Sequence, residues 1–119
     1  MKIKIICFDL DNTLCITKKN YYNKSRPVKK NIKFVNNLYD NGYIIKIFTS
    51  RFMGRSNENR ILAKRRGFEM TKKQLKKWNL KYHKLIFGKP TYDILVDDKA
   101  YGHNRNWLKK ISIVLKHKE

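Results

Sequence analysis

Four short apolar runs divide this chain, and each ends abruptly in a polar cluster. Ile3–Phe8 runs into Asp9-Leu10-Asp11, and Tyr43–Phe48 into Thr49-Ser50-Arg51. Residues 84–87 run into Gly88-Lys89-Pro90, and Tyr92–Val96 into Asp97-Asp98. Short, near-continuous runs of Ile, Val, Leu and Phe predict strands buried on both faces, as in a parallel sheet.

The segments between the runs carry helical signals. Pro27 suits a first helical turn, Val28, Ile32, Val35 and Tyr39 follow at helical spacing, and Asn41-Gly42 supplies a stop. Residues 12–26 are polar and read as a loop or small flap. After the second strand, Glu58 to Arg66 reads as a helix closed by Gly67. Thr71 then caps another helix, with Leu75 and Trp78 on one side. Trp107–Ile111 reads as a last helical turn and Ser112–Leu115 as an edge strand. Strands alternating with helices imply an α/β fold: a three-layer sandwich about a parallel sheet with right-handed crossovers, in one domain over residues 1–119. Ligands of such sheets bind beyond the carboxyl ends of the strands. All four polar clusters fall there.

Charge bears on partners. The chain has 29 basic against 9 acidic residues, a net charge of +20 that attracts phosphates and nucleic acid. The basic residues are spread along the whole chain, so a solvated basic surface explains them as well as a nucleic-acid platform does. No run of 18 apolar residues is present, which excludes a membrane-spanning helix as a reading. Asp9 and Asp11 interrupt the first apolar segment too early for a signal peptide. Cys7 and Cys15 lack metal-ligand spacing and read as free thiols of a reducing compartment, and the expected address is the cytoplasm. His83, His103 and His117 are scattered.

With acids so scarce, their placement is informative. Four of the nine, Asp9, Asp11, Asp97 and Asp98, form two tight pairs directly after apolar runs. Carboxylates pressed together repel, and a hard cation relieves the repulsion. Magnesium takes oxygen ligands and keeps several waters, so few carboxylates suffice to hold it. A hydroxyl at Thr13, two residues beyond Asp11, adds a group suited to a phosphate.

The segment Ile6-Cys7-Phe8-Asp9-Leu10-Asp11-Asn12-Thr13-Leu14 resembles the first signature of the haloacid dehalogenase-type hydrolases. Ile47-Phe48-Thr49-Ser50-Arg51 is similar to their second motif, Gly88-Lys89-Pro90 to their third and Leu95-Val96-Asp97-Asp98 to their fourth. The resemblance implies a Rossmannoid parallel sheet and a phosphatase. Asp9 would attack phosphorus to form an aspartyl phosphate, and Asp11 would protonate the leaving oxygen and later activate water. Thr49 and Lys89 would stabilise the transferred phosphoryl group, with Thr13, Ser50 and Arg51 as further phosphate or substrate contacts. Mg²⁺ would be held by Asp9, by Asp11 through its carbonyl, and by Asp97 or Asp98.

The intervals between motifs are short, which implies a member without a large cap domain. Its open site would admit a large substrate or be covered by a second subunit, and Arg51 to Arg55 and Arg60 are read as contacts to either or as solvent-exposed. A finer resemblance, in the residues around Phe48–Arg55 and Phe87–Asp93, is to small bacterial phosphatases of capsule and surface-polysaccharide synthesis; it implies a phosphosugar substrate. The charge keeps two alternatives in view: a phosphatase acting on nucleic-acid ends, and a basic nucleic-acid-binding module without activity.

Overall fold

The computed structural model describes residues 4–52, 59–87 and 94–96, together with Ser112 and Leu115. Strand β1 (Ile5–Asp9) buries Ile6, Cys7 and Phe8 completely, as an unbroken apolar run does when both faces of a strand are covered. A pair of two-residue strands, β2 (Cys15–Ile16) and β3 (Arg26–Pro27), make a small antiparallel flap. Helix α1 (Lys29–Asp40) then leads to β4 (Ile44–Thr49), helix α2 (Arg60–Lys77) leads to β5 (Lys84–Phe87), and β6 (Ile94–Val96) follows.

Strands β1, β4, β5 and β6 form one parallel sheet in the order β5-β4-β1-β6. Its register sets Asp9 beside Phe48, Thr49 beside Phe87 and Phe8 beside Val96. All four strands therefore finish along one edge, where the polar clusters begin. The α/β class and the parallel sheet agree with the sequence. Both helical crossovers step in the same direction, so right-handedness places α1 and α2 on one face. Asn36 of α1 joins them: its Nδ2 donates to the Asn79 carbonyl at 2.9 Å and its Oδ1 accepts from Lys81 N–H at 2.7 Å. The expected third layer, and the helical turn expected at Trp107–Ile111, fall outside the described residues; Ser112 and Leu115 are helical. Leu115 is buried in the core. An edge strand over Ser112–Leu115 is thus corrected to helix at both residues.

The core is filled by Ile6, Phe8, Ile45, Ile47, Leu85, Phe87 and Val96 from the sheet, Ile32, Val35 and Leu38 from α1, and Ala63 and Leu75 from α2. None of the described helices is long and apolar enough to cross a membrane.

Three other boundaries differ from expectation for identifiable reasons. Pro27 is not in the helix. It pairs with Cys15 in the flap, Val28 N–H bonds the Leu14 carbonyl at 2.9 Å, and α1 starts two residues later. A two-residue edge strand tolerates the missing proline donor. The two helices expected around Gly67 are one continuous helix, begun by Asn59, whose side chain accepts from Leu62 N–H at 3.0 Å. Gly67 and Thr71, which read as stop and start, are present for the contacts described below. The helix ends instead at Lys77 and is stopped by Asn79, in the left-handed region with φ 58°, with Leu80 N–H on the Leu75 carbonyl and Asn79 N–H on that of Lys76. Gly42 (φ 92°) and Tyr43 close α1 with the same pair of bonds, where Asn41-Gly42 predicts the stop.

Candidate active site

The site grows from the end of β1. Leu10 N–H reaches the Phe48 carbonyl at 3.1 Å, carrying the chain one residue beyond the strand. The chain then curls back: Leu14 and Cys15 N–H both donate to the Leu10 carbonyl, at 2.9 and 3.3 Å, and Asn12 N–H to the Cys15 carbonyl at 2.7 Å. Asn12 sits at φ 64°, a conformation that asparagine tolerates better than most residues. Buried Asn31 of α1 fastens the curl from below through Nδ2 to the Thr13 carbonyl, at 2.8 Å.

This curl brings the Asp11 carboxylate back over the ends of β1 and β4. Arg51 Nε donates to both of its oxygens, at 3.0 and 3.1 Å, and Arg51 Nη2 lies 3.0 Å from Oδ1. Thr17 Oγ1 donates to Oδ1 at 2.6 Å, and Thr49 Oγ1 to Oδ2 at 3.3 Å. Thr49 in turn accepts from Arg51 N–H at 3.0 Å, which fixes the turn at the end of β4.

Arg51 is read from the sequence as a substrate contact or a solvated arginine. The structure buries its side chain completely, at 0% exposure against 19% for Asp11. Among the described residues it is the only charged side chain in the buried class. Its remaining donors go to two parts of the fold. Nη1 bonds Thr71 Oγ1 at 3.2 Å and Gln74 Oε1, both on α2, and Nη2 bonds Ser25 Oγ of the flap at 3.1 Å. The Tyr22 ring lies 5.2 Å from the guanidinium carbon, and Gln74 Nε2 ties back to the Tyr22 carbonyl at 2.6 Å. Ser25 and Thr17 share a hydroxyl hydrogen bond of 2.6 Å. A buried guanidinium requires this degree of satisfaction, because an unmet charge in the interior is costly.

Cys15 lies among these groups, its sulfur 3.7 Å from Asp11 Oδ1 and 3.8 Å from Arg51 Nη2. Burial pushes its thiol up to about 11, with the hydrogen bond to Thr17 opposing part of that rise. It is therefore a packing thiol at neutral pH, as the sequence suggests. Thr13 is buried, and its hydroxyl has no hydrogen-bond partner among the described residues. Ser50 is exposed at the rim and Asp9 is half-buried at the strand end.

The sheet thus brings Asp9, Asp11, Thr13, Thr49, Ser50 and Arg51 to one edge. Lys89, Asp97 and Asp98 lie outside the described residues, though β5 and β6, which precede them, end at that same edge. Among the described residues no three His, Cys, Asp or Glu side chains group to hold a metal. The donors suit a magnesium ion in kind: Asp9 offers carboxylate oxygen, while the Asp11 carboxylate is turned onto Arg51, so a contribution from Asp11 falls to its carbonyl.

Sequence reasoning missed Thr17, Ser25, Thr71 and Gln74. Thr71 and Gln74 stand three apart on one helix face, a weak signal at best; the others have none.

A separate cleft of about 620 Å³ lies between α1 and the end of α2, lined by Lys29, Lys33, Lys77 and Trp78, with Ser25 among its walls.

No family model matches the chain, and no curated protein matches its sequence. In fold it is similar to the crystal structure of a target protein from Vibrio cholerae, with a TM-score of 0.70 and 21% identity over 98% of this chain and 100% of that one. It is also similar to chains in two structures of a Pnkp1/Rnl/Hen1 complex, the second described as an RNA repair complex. There the TM-scores are 0.50 and 0.52 and the identities 15% and 16%, over 98% of this chain. This chain spans only 36% and 33% of those longer chains. At such identities the likeness is one of fold.

Proposed function

We propose that this chain is a capless, magnesium-dependent phosphomonoester hydrolase of the haloacid dehalogenase type, acting through an aspartyl phosphate on Asp9. The observation that carries the reading is the pair of aspartates at the end of β1, with the Asp11 carboxylate held by Thr17, Thr49 and Arg51 beside the end of β4. Two carboxylates two residues apart then have different surroundings, which is what a nucleophile and an acid–base partner need.

In the first step an Asp9 oxygen bonds to phosphorus and the bond from phosphorus to the leaving oxygen breaks. The electron pair goes to that oxygen, and the Asp11 carboxyl supplies its proton. In the second step Asp11, now a carboxylate, takes a proton from water as the water oxygen bonds to phosphorus. The acyl phosphate bond breaks, Asp9 recovers its carboxylate and inorganic phosphate leaves. Lys89 binds the phosphoryl oxygens, and Thr13 and Ser50 are further contacts, while the buried Thr49 hydroxyl is donated to Asp11 Oδ2. Asp9, the Asp11 carbonyl and Asp97 or Asp98 would hold the magnesium, which when bound neutralises charge on the phosphate.

The substrate class follows from the resemblance to polysaccharide-synthesis phosphatases: a sugar phosphate. A second reading, action on nucleic-acid ends, is favoured by the net charge of +20 and by the cleft of Lys29, Lys33, Lys77 and Trp78 that shares Ser25 with the site network. Lysines meet phosphates there, and the half-buried Trp78 indole in the cleft wall is an aromatic group on which a base can stack. The fold likeness to chains of an RNA repair complex agrees with it.

Phosphate release is to be measured from sugar phosphates, nucleotides and oligonucleotides phosphorylated at either end, with and without Mg²⁺. Metal-dependent release that Asp9→Asn abolishes is expected. Release confined to oligonucleotides, and steeply reduced by salt, establishes the second reading. Full activity in Asp9→Asn removes the mechanism, and no release from any substrate leaves a basic binding module.

A further inference from the structure

Arg51 is buried behind Asp11, so it does not meet the substrate itself; its geometry acts on Asp11. We propose that Arg51 is a positioning residue for leaving-group protonation: it locks the Asp11 carboxyl in one orientation and assigns Oδ2 as the oxygen that carries the transferred proton. This inference rests on the phosphatase reading above and deepens it.

The assignment comes from the acceptor capacity of the two oxygens. Oδ1 lies within hydrogen-bond distance of Arg51 Nε at 3.0 Å, Arg51 Nη2 at 3.0 Å and Thr17 Oγ1 at 2.6 Å. A carboxylate oxygen has about two lone-pair sites, so Oδ1 is full. Oδ2 receives a shared Arg51 Nε contact at 3.1 Å and a long one from Thr49 at 3.3 Å. Its contacts are fewer and longer than those of Oδ1, and Thr49 can turn its hydroxyl to accept, so Oδ2 is the oxygen that takes the proton at least loss. The carboxylate held on the guanidinium is the form Asp11 reaches once the proton has gone to the leaving oxygen, and the form that then accepts one from water.

The clamp is held from two separate parts of the chain. Ser25 of the flap holds Nη2, while Thr71 and Gln74 of α2 hold Nη1. Only a planar fork with several fixed donors spans these partners and Asp11 at once; an ammonium at the same place reaches one or two of them. Loosening the outer partners therefore disturbs Asp11 without touching it.

The test compares kcat/KM on 4-nitrophenyl phosphate, whose leaving phenolate needs no proton, and benzyl phosphate, whose alkoxide does. kcat/KM reports steps up to leaving-group departure, so the later water step does not enter. In Arg51→Lys the benzyl ester is expected to lose about 10²-fold, the lower end of what a positioned acid contributes, and the nitrophenyl ester less than ~10-fold. Gln74→Ala, which frees only the far end of the guanidinium, is expected to give the same split at about 10-fold, and it carries the test should Arg51→Lys not fold. Equal losses on both esters overturn the positioning role while leaving the phosphatase reading intact. Wild-type protein inactive on both esters, and on every phosphomonoester of the wider screen, overturns that reading and this inference with it.

Discussion

The ring of Phe52 lies on Gly67: a Cβ added to that glycine would stand 2.3 Å from Phe52 Cδ2. This contact explains why a glycine occurs inside an uninterrupted helix, at an intrinsic cost of about 1 kcal/mol relative to alanine. It joins α2 to the residue that follows Arg51. Phe52 itself sits at φ 66°, with Tyr22 of the flap against its ring at a centroid distance of 4.9 Å.

Gly67→Ala is accordingly expected to destabilise the protein, despite alanine's better propensity. Overpacking costs about 1–3 kcal/mol, and a Cβ 2.3 Å from the ring calls for the upper part of that range, above the ~1 kcal/mol gained in the helix. In the background Phe52→Ala the sign should reverse, and Gly67→Ala should stabilise by roughly 0.5–1 kcal/mol. Thermal denaturation of the four variants gives the cycle. Additive effects would show that the ring and the helix backbone do not meet in solution.

Asp11 should matter for folding as well as for turnover. Asp11→Asn leaves the buried Arg51 guanidinium short of its counter-charge, and breaking a buried pair on one side costs about 3–5 kcal/mol. The partial exposure of Asp11 argues for the lower end of that range. Asp9→Asn is expected to leave the protein folded while abolishing turnover. Urea denaturation of Asp11→Asn against wild type reads the loss, and a loss below about 1 kcal/mol would contradict the role assigned to the ion pair.

Alkaline pH should find Cys15. Its thiol ionises near 9 in the unfolded chain and, held back by burial, only at about 11 in the folded one. Between those values the unfolded state binds fewer protons than the folded state, so stability present below pH 9 is lost as pH rises towards 11. The loss amounts to about 2–3 kcal/mol. Lysines and tyrosines titrate in the same range, so the measurement is the difference between wild type and Cys15→Ala in Tm from pH 8 to 11. That difference should shrink as pH rises. A constant offset would place Cys15 in a wetter site.

The Tyr43 hydroxyl is buried with no partner among the described residues. Phenylalanine keeps the ring that follows α1 in the core and removes an unmet polar group. Tyr43→Phe should therefore hold or raise stability, by up to about 1–3 kcal/mol. A clear fall in Tm would reveal a partner for the hydroxyl.

The strands and the site edge were legible because they are local. Ile5–Asp9, Ile44–Thr49 and Lys84–Phe87 are buried stretches of backbone, and burial is recorded directly as runs of apolar residues. The polar residue after each run marks where the chain leaves the sheet. In a parallel sheet that is always the same edge, so Asp9, Asp11 and Thr49 could be grouped before any contact was known. The end of α1 was legible too, since Asn41-Gly42 satisfies a conformational requirement of the chain itself.

What could not be read were residues whose local and tertiary duties conflict. Gly67 and Thr71 carry the signature of a helix boundary, yet one makes room for Phe52 and the other holds Arg51. Arg51 was the larger misreading, since an arginine among 29 basic residues gives no sign that it is buried. Its partners span Asp11 to Gln74, brought together only when flap, loop and α2 close over one edge of the sheet. Periodicity and turn chemistry act over a few residues and so lay down the elements and their ends. Satisfying a buried charge draws on donors and acceptors from the whole fold, and no local pattern encodes that.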